Sequence, residues 1–348
     1  MNGLYGRKYK LTITCNPSVE NKSNVEEIVF QQKGTEDSDG LRIVFDINYP
    51  GISGWYYSEI TIYNINDYYY NKVLNEGSLI TLEAGYQDNC DIIFQGFLFQ
   101  VIYEREGVTD KKMVLMCMDG DRLFTSGMML AETVQRGMKI TSQINKILSD
   151  NAKRLPMGEK AKEDINNYLN ESSVKDLIRG ETVFKTPSEL FKEKFGYRGI
   201  GKKNTLRICG YNTKIEVIDD GKEYEYDKSK AIVISPSQGG LIGTPRQTMY
   251  GCNFTCLLNP KIVLVRPHCV VKLEGTGFQQ MRARHGEAPI PLSGLGVTDN
   301  YQIQMYQIIG VRHIGDSRGN QWYTYATGIN LKGAIPVSPI TYTDFFKE

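Results

Sequence analysis

Residues 235–260 read SPSQGGLIGTPRQTMYGCNFTCLLNP, and the fold class turns on this stretch. It opens on turn-formers: Pro236, the Gly239 and Gly240 pair, Gly243 and Pro245. Glycine supplies positive φ and proline presets φ at about −65°, so the sequence predicts an ordered loop. A strand follows, with Tyr250, Cys252, Phe254 and Cys256 alternating onto one face. Leu257 and Leu258 close the run, and Asn259–Pro260 stops it, because the residue before a proline is held out of the helical region. The stretch holds no nucleophile beside a base. Its glycines lack the Lys-Ser/Thr pair that would make them a phosphate loop. It is architecture, and the architecture is β.

Strands extend in both directions from it. Before it, alternating runs are predicted at 9–15, 41–48, 58–63, 78–86, 92–105 and 112–118, with a short one near 28–30 and one or two helical turns at 67–75. Short strands separated by polar turns argue a sandwich or barrel. After it come 261–265 paired with 269–274, a long polar loop over 275–300, and a hairpin of 301–312 with 321–328. Between the two β blocks the period changes. Residues 139–155 place Ile140, Ile144, Ile147 and Leu148 on one helical stripe. A second helix is predicted at 188–195 with Ser188 as its cap. Strands resume at 205–211, 214–218 and 231–235. The fold class is therefore mainly β with a helical insert (α+β). The domains are 1–120, a helical insert at 121–201, and 202–348.

The chain carries 41 basic and 40 acidic residues, a net charge of +1 over 348 residues. A phosphate-gripping nucleic-acid binder needs a basic excess or stripe, and neither is present. Tyrosine is abundant, 22 against 2 tryptophans, which suits strands and surfaces half-covered by a partner. The seven cysteines lie mostly in apolar strands, the pattern of reduced thiols buried in a core. Cys252 and Cys256 share a strand face but stand about 13 Å apart, too far for one ion without a bulge. No metal and no cofactor are expected. The start shows no cationic, apolar and small-residue succession, and no apolar run spans a membrane, so the chain is expected to be made in a cytosol without membrane insertion.

Catalytic readings are weak. His313 stands three residues from Asp316, a spacing that invites acid–base chemistry but more often gives a local hydrogen bond. Residues 315–319, GDSRG, match Gly-x-Ser-x-Gly, yet a nucleophile elbow needs a helix after the turn and here a strand follows. A glycosidase carboxylate pair need not be close in sequence, so composition alone does not address it. The chain is read as a non-enzyme with no catalytic residues.

The order GLIGTP, YG, CLLNP in 240–260 resembles the hub proteins of phage tail baseplates. Two further stretches carry the resemblance. One is LRIVFDINYPGISGWYYSEITIYNIN (41–66) with GSLITLEAGYQDNCDIIFQGFLFQV (77–101); the other is YQIQMYQIIGVRHIGDSRGNQWYTYATGI (301–329). The resemblance implies two tail-tube-like β-barrel or sandwich domains in one chain, at 1–120 and 202–348. It implies a homotrimer that matches a sixfold tail tube to a threefold spike and forms part of the DNA conduit. Partners would be the tail tube protein, the central spike protein and a tape-measure protein, with DNA as passing cargo, in a virion tail baseplate. The insert at 121–201 matches nothing in the family. The rival readings are a carbohydrate- or receptor-binding tail module and a cell-wall hydrolase. Turn chemistry singles out Gly240, Gly243, Pro245, Gly251, Asn259 and Pro260 at the loop–strand junction, and Gly315, Asp316 and Gly319 at the last hairpin, as structural positions.

Overall fold

The architecture grows from a row of alternating strands. The computed structural model of the chain describes residues 6–15, 26–32, 40–49, 56–73, 77–119, 129–134, 136–137, 140–151, 157, 161–163, 165–167, 180–195, 206–219, 230–248, 251–264, 269–275 and 303–330. The first block supplies β1 (Arg7–Cys15), β2 (Glu26–Gln31), β3 (Ile43–Tyr49), β4 (Tyr56–Tyr63), β5 (Leu79–Tyr86), β6 (Asn89–Glu106) and β7 (Asp110–Asp119), with helix α1 (Asp67–Val73) between β4 and β5. In β1 the residues Tyr9, Leu11, Ile13 and Cys15 are buried while their neighbours are half-exposed. β3 does the same with Ile43, Phe45, Ile47 and Tyr49. This period of two is what a sheet with one covered face demands.

The last block supplies β12 (Ile232–Ile234), β13 (Leu241–Gln247), β14 (Gly251–Leu257), β15 (Val270–Glu274), β16 (Ile303–Asp316) and β17 (Trp322–Asn330). These strands and the first seven form one 13-stranded sheet. Its main path runs β13-β14-β17-β16-β3-β4-β7-β6-β5-β1-β2, with β12 and β15 branching from β16. The two β blocks thus meet edge to edge where β16 pairs antiparallel with β3. Among the described residues the path ends openly at β13 and β2 and closes no barrel. Residues 1–51, 57–118 and 225–334 make up this compact unit.

A second compact unit comprises residues 52–56, 119–224 and 335–348. Its described part holds β8 (Leu130–Val134), helix α2 (Ile140–Asp150), β9 (Glu181–Lys185), helix α3 (Pro187–Phe195), and β10 (Leu206–Tyr211) with β11 (Lys214–Asp219). α2 buries Ile144, Ile147 and Leu148, the predicted stripe. The span expected to be helical also contains the two-stranded β8–β9 sheet. α3 is capped by Thr186 and not by Ser188. The Thr186 N–H donates to Glu189 Oε2 at 2.9 Å and the Glu189 N–H donates to Thr186 Oγ1 at 3.3 Å, a reciprocal capping box with Pro187 as first helical residue. The β10–β11 turn places Asn212 and Thr213 at positive φ, and both their N–H groups donate to the buried carboxylate of Asp119.

Two expectations near the deciding stretch are corrected. The glycine-rich segment is not a loop throughout: residues 241–247 are strand β13, paired to β14 with a register shift between Ile242 and Arg246. Residues 261–264 are not a strand: the chain turns over 259–262, where the Ile262 N–H bonds back to the Asn259 carbonyl. β15 therefore pairs with β12 and β16. His268, His285, Lys202, the 276–302 loop and the tail from 331 lie outside the described residues.

Candidate functional site

The residues with the most consequential environment lie along the β3–β16 seam and at the turn between β16 and β17. Arg312 and Asp46 lock the seam on its exposed face with two parallel hydrogen bonds. At its end, Asp316 gathers four segments. Arg42 Nε and Nη2 donate to Asp316 Oδ1 and Oδ2 at 3.2 and 2.7 Å, and the Arg318 N–H donates to Oδ1 at 3.0 Å. Arg7 Nη1 donates to the Asp316 carbonyl at 3.1 Å and also reaches the Gly319 carbonyl. Burial alone would raise the Asp316 pKa. The Arg42 hydrogen bond and charge, with the N–H groups of Arg318 and Gly319, instead hold it below the usual carboxylate range.

The neighbouring turn is pinned through its backbone. The Ser317 N–H donates to the Ile43 carbonyl at 2.9 Å, and Ser317 Oγ accepts the Ile43 N–H at 2.9 Å. Arg318 Nη2 donates to the Gly40 carbonyl at 2.7 Å. Ser317, the hydroxyl of the Gly-x-Ser-x-Gly match, is thus engaged as a buried structural group between two strands. Trp322, fully buried, packs edge-on against Phe45 at 5.2 Å and donates its indole N–H to the Gly85 carbonyl at 3.1 Å.

His313 does not bond Asp316. It lies inside β16, buried, with Nδ1 at 2.9 Å from Thr324 Oγ1 on β17. Thr324 Oγ1 accepts the Asn259 N–H at 2.9 Å. A hydroxyl has one proton and a second acceptor position, so either neutral tautomer of His313 completes this bond. Burial pushes His313 down to about 4, so it is neutral near pH 7. The side chain of Asn259 continues the relay: its Oδ1 accepts the Lys261 N–H at 3.0 Å and Asn89 Nδ2 at 3.2 Å. The chain of bonds runs from the last hairpin, through the turn after β14, to the β5–β6 connection.

Each position singled out by turn chemistry has a definite place. Gly240 has φ +63°, and a Cβ there would meet Leu257 Cγ at 2.6 Å; Gly243 has φ +67° with open space around it. Pro245 is buried in the irregular middle of β13. A Cβ on Gly251 would stand 2.7 Å from Ile329 Cα, and one on Gly315 would stand 2.8 Å from Trp322 Cε3 and strike Phe45. A Cβ on Gly319 would strike the Asp316 carboxylate. Pro260 is buried beside Asn259 in the turn after β14. Sequence reading missed Arg7, Arg42, Trp322 and Thr324. Their only signal is position at or near strand starts, which carries no information about their partners, up to 312 residues away for Arg7 and 11 for Thr324 with His313.

Cys252 and Cys256 are both buried in β14, and burial pushes both thiols up to about 12. Half-buried Cys90 is pushed up to about 11 by the same cause. Among the described residues no three His, Cys, Asp or Glu side chains come together as metal ligands. No helix there is long and apolar enough to cross a membrane.

No family model and no curated protein matches the sequence. Solved structures match the fold. A chain of the lidded Francisella PdpA–VgrG complex superposes with a TM-score of 0.50 at 11% identity, over 94% of this chain and 53% of that one. The fold is shared. The 43 kDa tail protein of prophage MuSo2 from Shewanella oneidensis gives a TM-score of 0.48 at 8% identity, over 93% of this chain and 99% of that one. The E. coli c3393 protein, a type VI secretion system component with structural similarity to the T4 phage tail proteins gp27 and gp5, gives 0.44 at 11% identity, over 83% of this chain and 73% of that one.

Proposed function

We propose that the chain is a structural subunit of a phage-type tail baseplate hub, assembled as a homotrimer in the virion. The observation that carries this reading is the single sheet in which two β blocks meet through β3 and β16. A chain built this way brings two adjoining β walls to a ring. Trimerisation then sets six walls around one axis, facing a sixfold tail tube on one side and a threefold spike on the other. Ring closure requires heterologous contacts between copies, and the two ends of the strand path, β2 and β13, are free among the described residues. The seam suits such a load. Its polar groups are tied by Arg–carboxylate and backbone bonds, and its core is filled by large side chains such as Trp322 and Phe45.

The role is structural. The tail tube protein, the central spike and a tape-measure protein are the partners, and DNA passes along the axis as cargo. The chain's net charge of +1 is compatible with a passage that does not hold DNA. Electron microscopy of the purified chain tests the reading. Closed particles with threefold symmetry and six lobes are the expected result. Open filaments, or single particles at every concentration, would overturn it.

A further inference from the structure

A groove of about 650 Å³ crosses the exposed face of the last β block and reaches the seam at Arg312 and Asn48. Strand register builds it from two rows of side chains. One row runs Ile242, Thr255, Tyr325, Arg312 and Asn48, each directly opposite the next across β13, β14, β17, β16 and β3. The other runs Arg246, Asn253, Thr327 and Gly310. Adjacent strands stand about 4.8 Å apart, so the longer row spans about 19 Å, and two residues along a strand set the rows about 7 Å apart. Gly310 contributes no side chain, and the register shift beside it in β16 leaves the second row open at that end.

The chemistry of the groove is one-sided. Its lining holds two arginines and no carboxylate. Arg312 is paired with Asp46, and among the described residues no carboxylate pairs with Arg246. The side chains of Arg246, Asn253, Thr255 and Thr327 make no hydrogen bond to the described residues, and all four residues line the groove. Tyr325, 39% exposed, offers an aromatic surface midway along the longer row. β14, β17 and β16 are each paired on both sides, so their backbone groups are spent on the sheet. Only β13, at one margin, offers an edge to which an added peptide strand could bond through its main chain, and the floor across β14, β17 and β16 offers none. What is left is recognition by hydroxyls, amides and a guanidinium around one aromatic ring, at a volume in the range of small-molecule sites.

We propose that this groove binds an acidic oligosaccharide, with a sugar ring against Tyr325 and its carboxylate or sulfate on Arg246. Hydroxyl-rich rings present an apolar face that packs on an aromatic side chain, and their edges bond to planar amides and hydroxyls such as Asn253 and Thr327. The Arg246 guanidinium selects the charged member, because Arg matches a carboxylate with two parallel bonds. The site lies within one chain and does not depend on assembly.

The test is a glycan array of uronic, sialylated and sulfated oligosaccharides beside their neutral counterparts, followed by titration calorimetry on any that bind. Binding to acidic members is expected. Tyr325→Ala should weaken it about tenfold or more, and Arg246→Gln should erase the preference for acidic over neutral sugars. Both side chains are exposed, so the variants should keep the parent's melting temperature, and particle symmetry should be unchanged. Absence of binding at millimolar sugar, binding that survives Tyr325→Ala, or retention of a single-stranded oligonucleotide with no sugar bound would each overturn the proposal.

Discussion

A Cβ at Gly251 would stand 2.7 Å from Ile329 Cα, whereas one at Gly243 meets nothing within 4 Å. The two glycines are needed for different reasons. Gly243 serves a left-handed backbone, so Gly243→Ala should cost about 1 kcal/mol. Gly251 lets β14 approach β17 closely, so Gly251→Ala forces strands apart and should cost about 3 kcal/mol. Urea unfolding of the two variants measures the order, and equal losses would refute it. His313 makes a second residue-scale prediction. Its value in the fold is about 4, beneath its ordinary 6.5. As pH falls the unfolded chain takes the proton first. The stability from neutral His313 is therefore whole above pH 6.5 and drains between 6.5 and 4, by up to about 3 kcal/mol. Asp316 is also held below its ordinary value, so its contribution is lost only at more acid pH. His313→Asn should flatten the unfolding midpoint across the 6.5 to 4 window, and an undiminished fall would show that His313 is not the cause. The glycines were legible in the sequence as turn chemistry. The burial of His313 was not, because its neighbour in sequence, Asp316, suggested a partner that the strand's alternation turns away.

Single elements show where sequence reading succeeds. β1, β3 and β5 alternate over seven residues or more and were read within two residues of their ends. β8 and β9, at five residues each, are too short for a period to register inside a span dominated by the α2 stripe. β13 was hidden by Gly243 and Pro245, which mark its irregular middle and look like a loop. The turn between β16 and β17 was legible as a turn, though not as the place where Arg7, Arg42 and Arg318 converge. Its carboxylate does two jobs, pairing Arg42 and accepting the Arg318 N–H. Asp316→Asn keeps an acceptor for the backbone and should cost about 1 kcal/mol, with Arg42 partly exposed and screened. Asp316→Ala leaves both donors without their partner and should cost about 2 to 3 kcal/mol. Denaturant unfolding of the pair separates them. An Asn variant as damaged as the Ala variant would mean that the ion pair, not the turn, carries the element.

For the whole molecule the decisive fact is the pairing of strands far apart in sequence. Arg312 meets Asp46 across 266 residues, and the β16 register on β3 runs from Val311–Tyr49 to Asp316–Val44. Two β blocks of similar length were visible from composition and periodicity. That they join into one sheet was not, because edge partners are chosen by packing and register, with no local signal in either strand. This joined sheet is what makes a ring-forming subunit a physical reading of the chain. The most direct test is the mass of the purified protein by light scattering over a wide concentration range. A particle of three 39.5 kDa chains is expected. A mass that stays at one chain at the highest concentration would contradict it.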